Sequence, residues 1–400
     1  MTYDVCIIGA GLVGLGVARA LSESHGGIGM AILEKEPAVA MHQSSHNSGV
    51  AHSGLYYRPG SLKARLCVEG RSMLEEYCVS KGVAFDRSGK LVIATNPSQL
   101  ESLAELERRG IANGLSGLER LDAQGLREIE PAAVGLQALA VPEAGVVDFP
   151  AVAARLASEL SDLGADIRTD QAVTSIEHDL SGARIRVGDQ EIRARLVVNC
   201  AGLQSDRVAM MAGIRSSVRI VPFRGEYYTL VPEAEHLVRA LIYPVPDPRF
   251  PFLGVHFTRR IDGAVEVGPN AVMALGREHY RDKGPDWGEV RETLAFPGFR
   301  KLVRRHWRTG ASEMIRSRSR SLYARSARSL VPEIRPQHLI PGGAGVRAQA
   351  VAPDGSLVDD FVIEEAGPTV HVLNAPSPAA TASLAIGAYV ARLAARHLRR

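Results

Sequence analysis

Apolar and polar positions alternate in blocks along this chain, and the blocks predict its elements. Residues 5–8 form a continuous apolar run, as expected of a parallel strand buried on both faces. A glycine-rich turn follows at 9–14, residues 12–22 repeat apolar side chains at helical spacing, and 29–33 return as a second strand ending at Glu34. Periodicity then disappears from about 37 to 58, a stretch rich in His, Ser, Asn and Gly, and long ordered loops of this kind usually carry function. Helices are expected at 62–81, 97–114 and 149–164, strands at 85–94, near 167–176 and at 184–193, and a hairpin at 138–147. A third all-apolar strand, 196–200, is closed by Ala201 and Gly202. From 221 to 272 the chain becomes aromatic, β-branched and proline-rich, which predicts an antiparallel sheet. A basic helical stretch, a strand at 369–373 and a terminal helix complete the chain.

This order predicts an α/β protein. A Rossmann-like nucleotide domain is drawn from three separated pieces, 1–80, 149–215 and 335–400. An inserted α+β substrate domain, built on a mostly antiparallel sheet, is formed by 81–148 and 216–334. Its 400 residues suit two or three domain-sized units, and no internal repeat or low-complexity segment interrupts them.

Composition narrows the function. With 46% apolar and 23% charged residues the chain is an ordinary globular one, and a net charge of +3 does not call for a nucleic-acid partner. Between residues 300 and 328 there are ten Lys/Arg and one acid, Glu313. Such a run is either a solvated helical face or a peripheral contact with anionic lipid, the latter suiting an enzyme that passes electrons to a membrane carrier. Cys6, Cys67, Cys78 and Cys200 show no CxxC spacing, and Cys6 and Cys200 lie inside strand-like apolar runs, so packing in a reducing compartment is expected. The first strand leaves no room for a charged leader, and the apolar stretch 375–390 is broken by Pro376 and Pro378. A cytoplasmic location, with peripheral contact at the inner face of the cell membrane as an option, is the expectation.

The first chemical motif is Gly9-Ala10-Gly11-Leu12-Val13-Gly14, which matches GxGxxG. Gly9 permits the tight turn, Gly11 lets backbone approach a pyrophosphate, and Gly14 allows close helix–strand packing. Amides opening the helix at Leu12 favour negative charge. Alone the pattern is weak; here it joins a strand to a helix, and twenty residues after Gly14 stands Glu34, placed to bind ribose hydroxyls. No second GxGxxG signals a nicotinamide domain. The strand ending in Ala201-Gly202 and the small residues Pro378, Ala379, Ala380 and Thr381 opening the last helix favour a flavin, because neither obstructs a ring.

Several blocks carry a closer likeness: GAGLVG at 9–14, LEKE at 33–36, HNSGVAHSGLYYRPGSLKA at 46–64, FRGEYY at 223–228, IYPVPDP at 242–248, FLGVHFTR at 252–259, VGPNAV at 267–272, GVRAQAV at 345–351 and NAPSPAAT at 374–381. With these the chain resembles the L-2-hydroxyglutarate dehydrogenases/oxidases, FAD enzymes of the D-amino-acid oxidase superfamily, along essentially its whole length. The resemblance implies a nucleotide domain of the DAO type and FAD across it. The cofactor contacts it implies are Gly9, Gly11, Leu12, Val13, Gly14, Glu34 and Lys35, then Ser44, Ser45, His46, Asn47 and Ser48 in the loop along the ring. Val173 serves the adenine end, and Ala201, Gly202, Arg347, Pro378, Ala379, Ala380 and Thr381 complete the set. His46-Asn47-Ser48-Gly49 resembles the HxxG pattern that bonds covalently to flavin in related dehydrogenases. The tryptophan that precedes it there is Ser45 here, so non-covalent FAD is expected and a covalent link is the alternative.

Oxidising a 2-hydroxy acid needs a cation for the carboxylate, a base for the hydroxyl proton and an acceptor for the hydride. Arg347 is the first choice for the carboxylate, since a guanidinium binds it with two parallel hydrogen bonds. His52 is the first candidate base and His256 the second, because histidine titrates near working pH. For a distal carboxylate Arg58, Lys63, Arg224 and Arg259 are candidates, with Tyr57, Tyr56 and Tyr243 as pocket hydrogen-bond donors. Expected partners are a small 2-hydroxy dicarboxylate and, as electron acceptor, quinone or oxygen. An amine or amino-acid oxidase of the glycine or sarcosine type on the same fold is the rival reading.

Overall fold

The computed structural model describes residues 2–179, 182–247, 254–280, 284–317 and 319–398. Pro248, the first two residues of FLGVHFTR with Leu253 among them, and Arg318 of the basic run lie outside the described residues.

β1 (Thr2–Ile8) leads into α1 (Leu12–Ser24) and β2 (Met30–Leu33), as the apolar runs predict. β1 lies between β2 and the C-terminal half of the strand Gln190–Asn199, parallel to both. Thr369–Asn374 and Asp166–Arg168 extend this parallel core on its two sides. A meander of Val173–Asp179, Gly182–Val187 and the start of Gln190–Asn199 adds antiparallel strands, as does Val362–Ala366. The parallel strands are buried on both faces, which is why they read as unbroken apolar runs. Helix Ser383–Leu398 packs along α1, and Gly16 and Gly387 make the approach possible, since a Cβ on either would meet backbone of the other segment within about 2.5 Å.

The second sheet has nine strands, in the order Val272–Met273, Arg219–Leu230, Val265–Gly268, His256–Arg259, Leu241–Pro244, Lys90–Ala94, Gln137–Val141 and Glu119–Asp122, with Leu339–Val351 also paired to Arg219–Leu230. The expected α+β domain is therefore present, with differences in detail, and the strand expected at 85–94 splits into Phe85–Asp86 and Lys90–Ala94 in different sheets. The 138–147 region is not a hairpin: Gln137–Val141 pairs with Lys90–Ala94, whereas Gly145–Val147 joins Val50–Ala51 and Phe85–Asp86 in a separate small sheet. Strand Leu339–Val351, assigned from sequence to the nucleotide domain, pairs with Arg219–Leu230 over eleven register partners. Alternation along a strand says which face is buried and not which neighbour covers its edge.

Helix Leu62–Lys81 forms where expected because both ends are specified. The Ser61 side chain accepts from the Ala64 amide, and Gly82 takes the left-handed conformation at φ 66°. The last helix begins at Ser383, so Pro378–Thr381 forms the turn ahead of it and not its first residues. All four cysteines are free and buried, and burial pushes each thiol up to about 12. Among the described residues no helix is long and apolar enough to cross a membrane.

Candidate active site

At the C-terminal ends of the parallel strands lies a cavity of about 460 Å³. It runs from Gln171, Ala172 and Val173 past Gly9, Gly11, Leu12, Val13, Glu34 and Lys35 to Ser44, Ala201, Gly202, Ala348, Ala379 and Ala380. Each motif glycine has a steric reason. Gly9 has φ +101° and a Cβ there would lie 2.5 Å from the Cys200 carbonyl oxygen; a Cβ on Gly14 would lie 2.0 Å from the Gly9 carbonyl oxygen. A Cβ on Gly11 would meet the Ser44 hydroxyl at 3.0 Å, inside the cavity lining. The buried Glu34 carboxylate accepts from the amides of Ala10 (2.9 Å) and Glu36 (3.1 Å), which fixes the turn and leaves acceptor capacity facing the cavity. The volume, the glycine cradle at a helix N-terminus and this acid together fit a dinucleotide.

The loop predicted to follow the ring is locally ordered. Ser44 Oγ accepts from the Leu12 amide at 3.0 Å, Ser45 Oγ donates to the Ala40 carbonyl, and Asn47 bonds the carbonyls of Gln43 and Ser44 and accepts from the Gly49 amide. Ser48 is half-buried. The exposed His46 ring packs on Tyr280 at 4.2 Å. Thr381 ties this loop to the C-terminal segment, accepting from the His52 amide and donating to the Val50 carbonyl. Lys35 pairs with Glu36 and Glu278 and contacts His42 at the cavity rim.

Beyond the loop, the second sheet brings together residues far apart in sequence. His256 stacks on Tyr243, with ring centroids 4.0 Å apart and an interplanar angle of 23°. Its Nδ1–H donates to the Gly254 carbonyl at 2.8 Å, so Nε2 carries the lone pair. Burial, reinforced by Lys90 and Arg347, pushes His256 down to about 3. His52 is held well below the usual histidine range, first by burial and then by Lys90, His256, Lys63 and Arg347. Its Nδ1 finds no hydrogen-bond partner among the described residues, and its Nε2 lies 3.4 Å from Ser377 Oγ. Both imidazoles are therefore held in the neutral form at pH 7. Arg347 hydrogen-bonds the Tyr227 phenol, and burial raises that phenol. Tyr57 bonds Ser377 beside His52, and burial holds its phenol well above 10.

The cationic candidates separate. Lys63 bonds Asp359 at 2.8 Å and lies over the Tyr57 ring at 4.9 Å. Arg224 is the register partner of Val346, next to the Phe223–Arg347 pair, so it points to the face opposite Arg347, where it meets His279 and Glu226. Arg259 bonds the carbonyls of Glu235 and Val238. Arg58 is exposed. One cation in the cluster, Lys90, is not among the candidates read from the sequence. Tyr227 and Tyr56 also belong here, the former visible in FRGEYY but without a sign of its facing Arg347.

Comparison with known proteins identifies the family and the fold. The profile of the DAO family, described as FAD dependent oxidoreductase, matches residues 4–393. The L-2-hydroxyglutarate dehydrogenase of Indibacter alkaliphilus is 46% identical over 98% of both chains. The mitochondrial L-2-hydroxyglutarate dehydrogenase of Bos taurus is 42% identical over 98% of this chain and 88% of its own length, and that of Escherichia coli is 42% identical over 97% and 92%. Among solved structures, L-alpha-glycerophosphate oxidase from Mycoplasma pneumoniae with FAD bound superposes at a TM-score of 0.80 with 22% identity, covering 100% of this chain and 95% of that one. Glycine oxidase from Geobacillus kaustophilus gives 0.70 at 20% identity, covering 99% and 95%. At such identities these two speak for the fold alone.

Proposed function

Because the chain belongs to the FAD-dependent oxidoreductase family and, within it, to the L-2-hydroxyglutarate dehydrogenases, we propose that it oxidises L-2-hydroxyglutarate to 2-oxoglutarate. FAD, bound non-covalently along the cavity, supplies the two-electron acceptor for the hydride on C2. Arg347 orients the C1 carboxylate, and Tyr227, hydrogen-bonded to it, fixes the guanidinium. His52 takes the hydroxyl proton at Nδ1, with His256 Nε2 as the second acceptor in the same cluster. The observation that carries this reading is the neutral His52 ring, with an unengaged nitrogen, set among cations. Those cations attract a carboxylate and repel an aminium ion, which disfavours the amine oxidase reading.

Anaerobic mixing of the FAD-loaded protein with L- and D-2-hydroxyglutarate, glycine and sarcosine tests the proposal. The L-hydroxy acid is expected to bleach the flavin; turnover of an amine with none of the L-hydroxy acid would remove it.

For the onward electrons, quinone and oxygen are the candidate acceptors. The helical stretch Pro297–Ser317, kinked at His306, favours quinone, reached from the membrane surface: it exposes Trp307, Met314 and Ile315 and also carries Arg304, Arg305 and Arg308. Apolar side chains flanked by basic ones suit shallow insertion into anionic lipid.

A further inference from the structure

Lys90 opens the strand Lys90–Ala94 and is 2% exposed. Its Nζ finds no hydrogen-bond partner among the described residues. The ammonium instead lies over two aromatic faces, 4.2 Å from the Tyr243 ring centroid and 5.4 Å from that of Tyr56, and the buried Tyr56 hydroxyl likewise finds no hydrogen-bond partner among the described residues. Aromatic faces do not replace the hydration a buried ammonium loses, so a lysine kept there without a carboxylate is an incomplete arrangement.

Its place in the sheet shows what it faces. Lys90 and Val92 share a face, Val92 is the register partner of Tyr243, and Tyr243 carries the His256 ring. Lys90 and Arg347 both act on His52 and His256, and in the sheet the strand of His256 lies between that of Lys90 and the Arg219–Leu230 strand paired to the one that carries Arg347. The other cations near this row are engaged or turned away: Lys63 on Asp359, Arg259 on backbone carbonyls, Arg224 on the far face.

We propose that Lys90 is the specificity residue that receives the second carboxylate of the substrate, at the end of the molecule opposite the carboxylate held by Arg347. This rests on the 2-hydroxy dicarboxylate reading above and adds how the site tells a dicarboxylate from a monocarboxylate. A dicarboxylate completes the ion pair that Lys90 lacks and can accept from the Tyr56 hydroxyl. A monocarboxylic hydroxy acid of the same length leaves both groups buried and unsatisfied, and sites with polar groups so placed reject ligands lacking the matching group.

The test uses FAD-loaded wild type, Lys90→Met and Lys90→Gln, with two readouts. The first is anaerobic flavin reduction by L-2-hydroxyglutarate and by L-2-hydroxyvalerate. The second is the perturbation of the flavin absorption band by glutarate and by valerate, which needs no turnover. Lys90→Met is expected to weaken glutarate binding and the apparent affinity for L-2-hydroxyglutarate about a hundredfold, while the monocarboxylates change less than about threefold. An unchanged dicarboxylate-to-monocarboxylate ratio in both variants overturns the proposal. If the wild type is not reduced by L-2-hydroxyglutarate, the reading of the reaction fails, and the glutarate and valerate titrations still decide the role of Lys90. Loss of bound FAD in both variants would make Lys90 a structural residue and also overturn the proposal.

Discussion

Gly345 lies against His46 so closely that a Cβ on it would come within 2.6 Å of the His46 carbonyl oxygen. The contact joins the loop beside the flavin cradle to the strand that carries Arg347 two residues on, across the boundary between the two sheets. Gly345→Ala therefore forces backbone against backbone, with no flexible side chain to yield. A cost of about 1–3 kcal/mol is expected, together with lower FAD retention through the displaced 43–49 loop. Flavin absorbance per protein and the melting temperature measure both, and wild-type values for the two would show that the contact is not tight.

Arg347→Ala is expected to raise KM and lower kcat, with kcat/KM down by about two to three orders of magnitude, as for loss of one partner of a hydrogen-bonded charge pair. FAD content should stay normal, since the glycine cradle and Glu34 are untouched. Arg347→Lys should recover only part, because a point charge cannot present two parallel donors. Steady-state kinetics identical to wild type would take Arg347 out of the substrate site.

His52→Ala separates base from binding residue. Flavin reduction by the substrate should slow by about 10²–10⁴-fold, while glutarate titrates the flavin band with little change in affinity. The opposite pattern, intact reduction with weakened binding, would move the proton acceptor elsewhere, His256→Gln being the next variant to measure.

What the sequence reveals of this site depends on how local each constraint is. Gly9, Gly11, Gly14 and Glu34 were readable because the pattern that carries them is contiguous in sequence and closes on itself through the Gly14–Gly9 and Glu34–Ala10 contacts, although Gly9 also meets Cys200 and Gly11 meets Ser44 from elsewhere in the chain. The histidines stood out because His52 follows a polar, glycine-containing loop and His256 alternates with apolar neighbours. Lys90 was invisible: it falls in the middle of the strand expected at 85–94, and only the pairing of the observed strand Lys90–Ala94 with Leu241–Pro244 buries it beside Tyr243. Arg224 misled for the converse reason. It sits next to Phe223, the partner of Arg347, and one residue along a strand reverses the face. The 138–147 segment shows the same limit at the level of topology, because alternation is identical whether two strands share a sheet or part into two.

Acidification should destabilise the folded chain through its buried histidines. His256 is pushed down to about 3 and the buried His371 to about 4, against an ordinary value of 6.5. Between those values and 6.5 the unfolded chain binds protons that the folded chain does not. Stability is therefore fully present above about pH 6.5 and is lost as pH falls through that window. Each ring contributes a slope approaching about 1.4 kcal/mol per pH unit. Denaturant unfolding at pH 7 and pH 5 measures the loss. His256→Phe, which keeps an aromatic face for Tyr243, should show a shallower dependence, and an identical one would mean that His256 is not held neutral.

The basic helix can be tested apart from the chemistry. If Pro297–Ser317 rests on anionic lipid, the FAD-loaded protein should cosediment with phosphatidylglycerol vesicles and not with phosphatidylcholine vesicles, and binding should weaken with salt as Lys and Arg contacts are screened. Trp307 is 59% exposed and belongs to no core cluster, so Trp307→Ser should reduce vesicle binding without changing the melting temperature or flavin reduction by substrate. The two contributions differ in kind: salt acts on charge, whereas the tryptophan acts on insertion. A solvated helical face predicts neither, and equal recovery with both lipids, or none with either, would return this helix to that role.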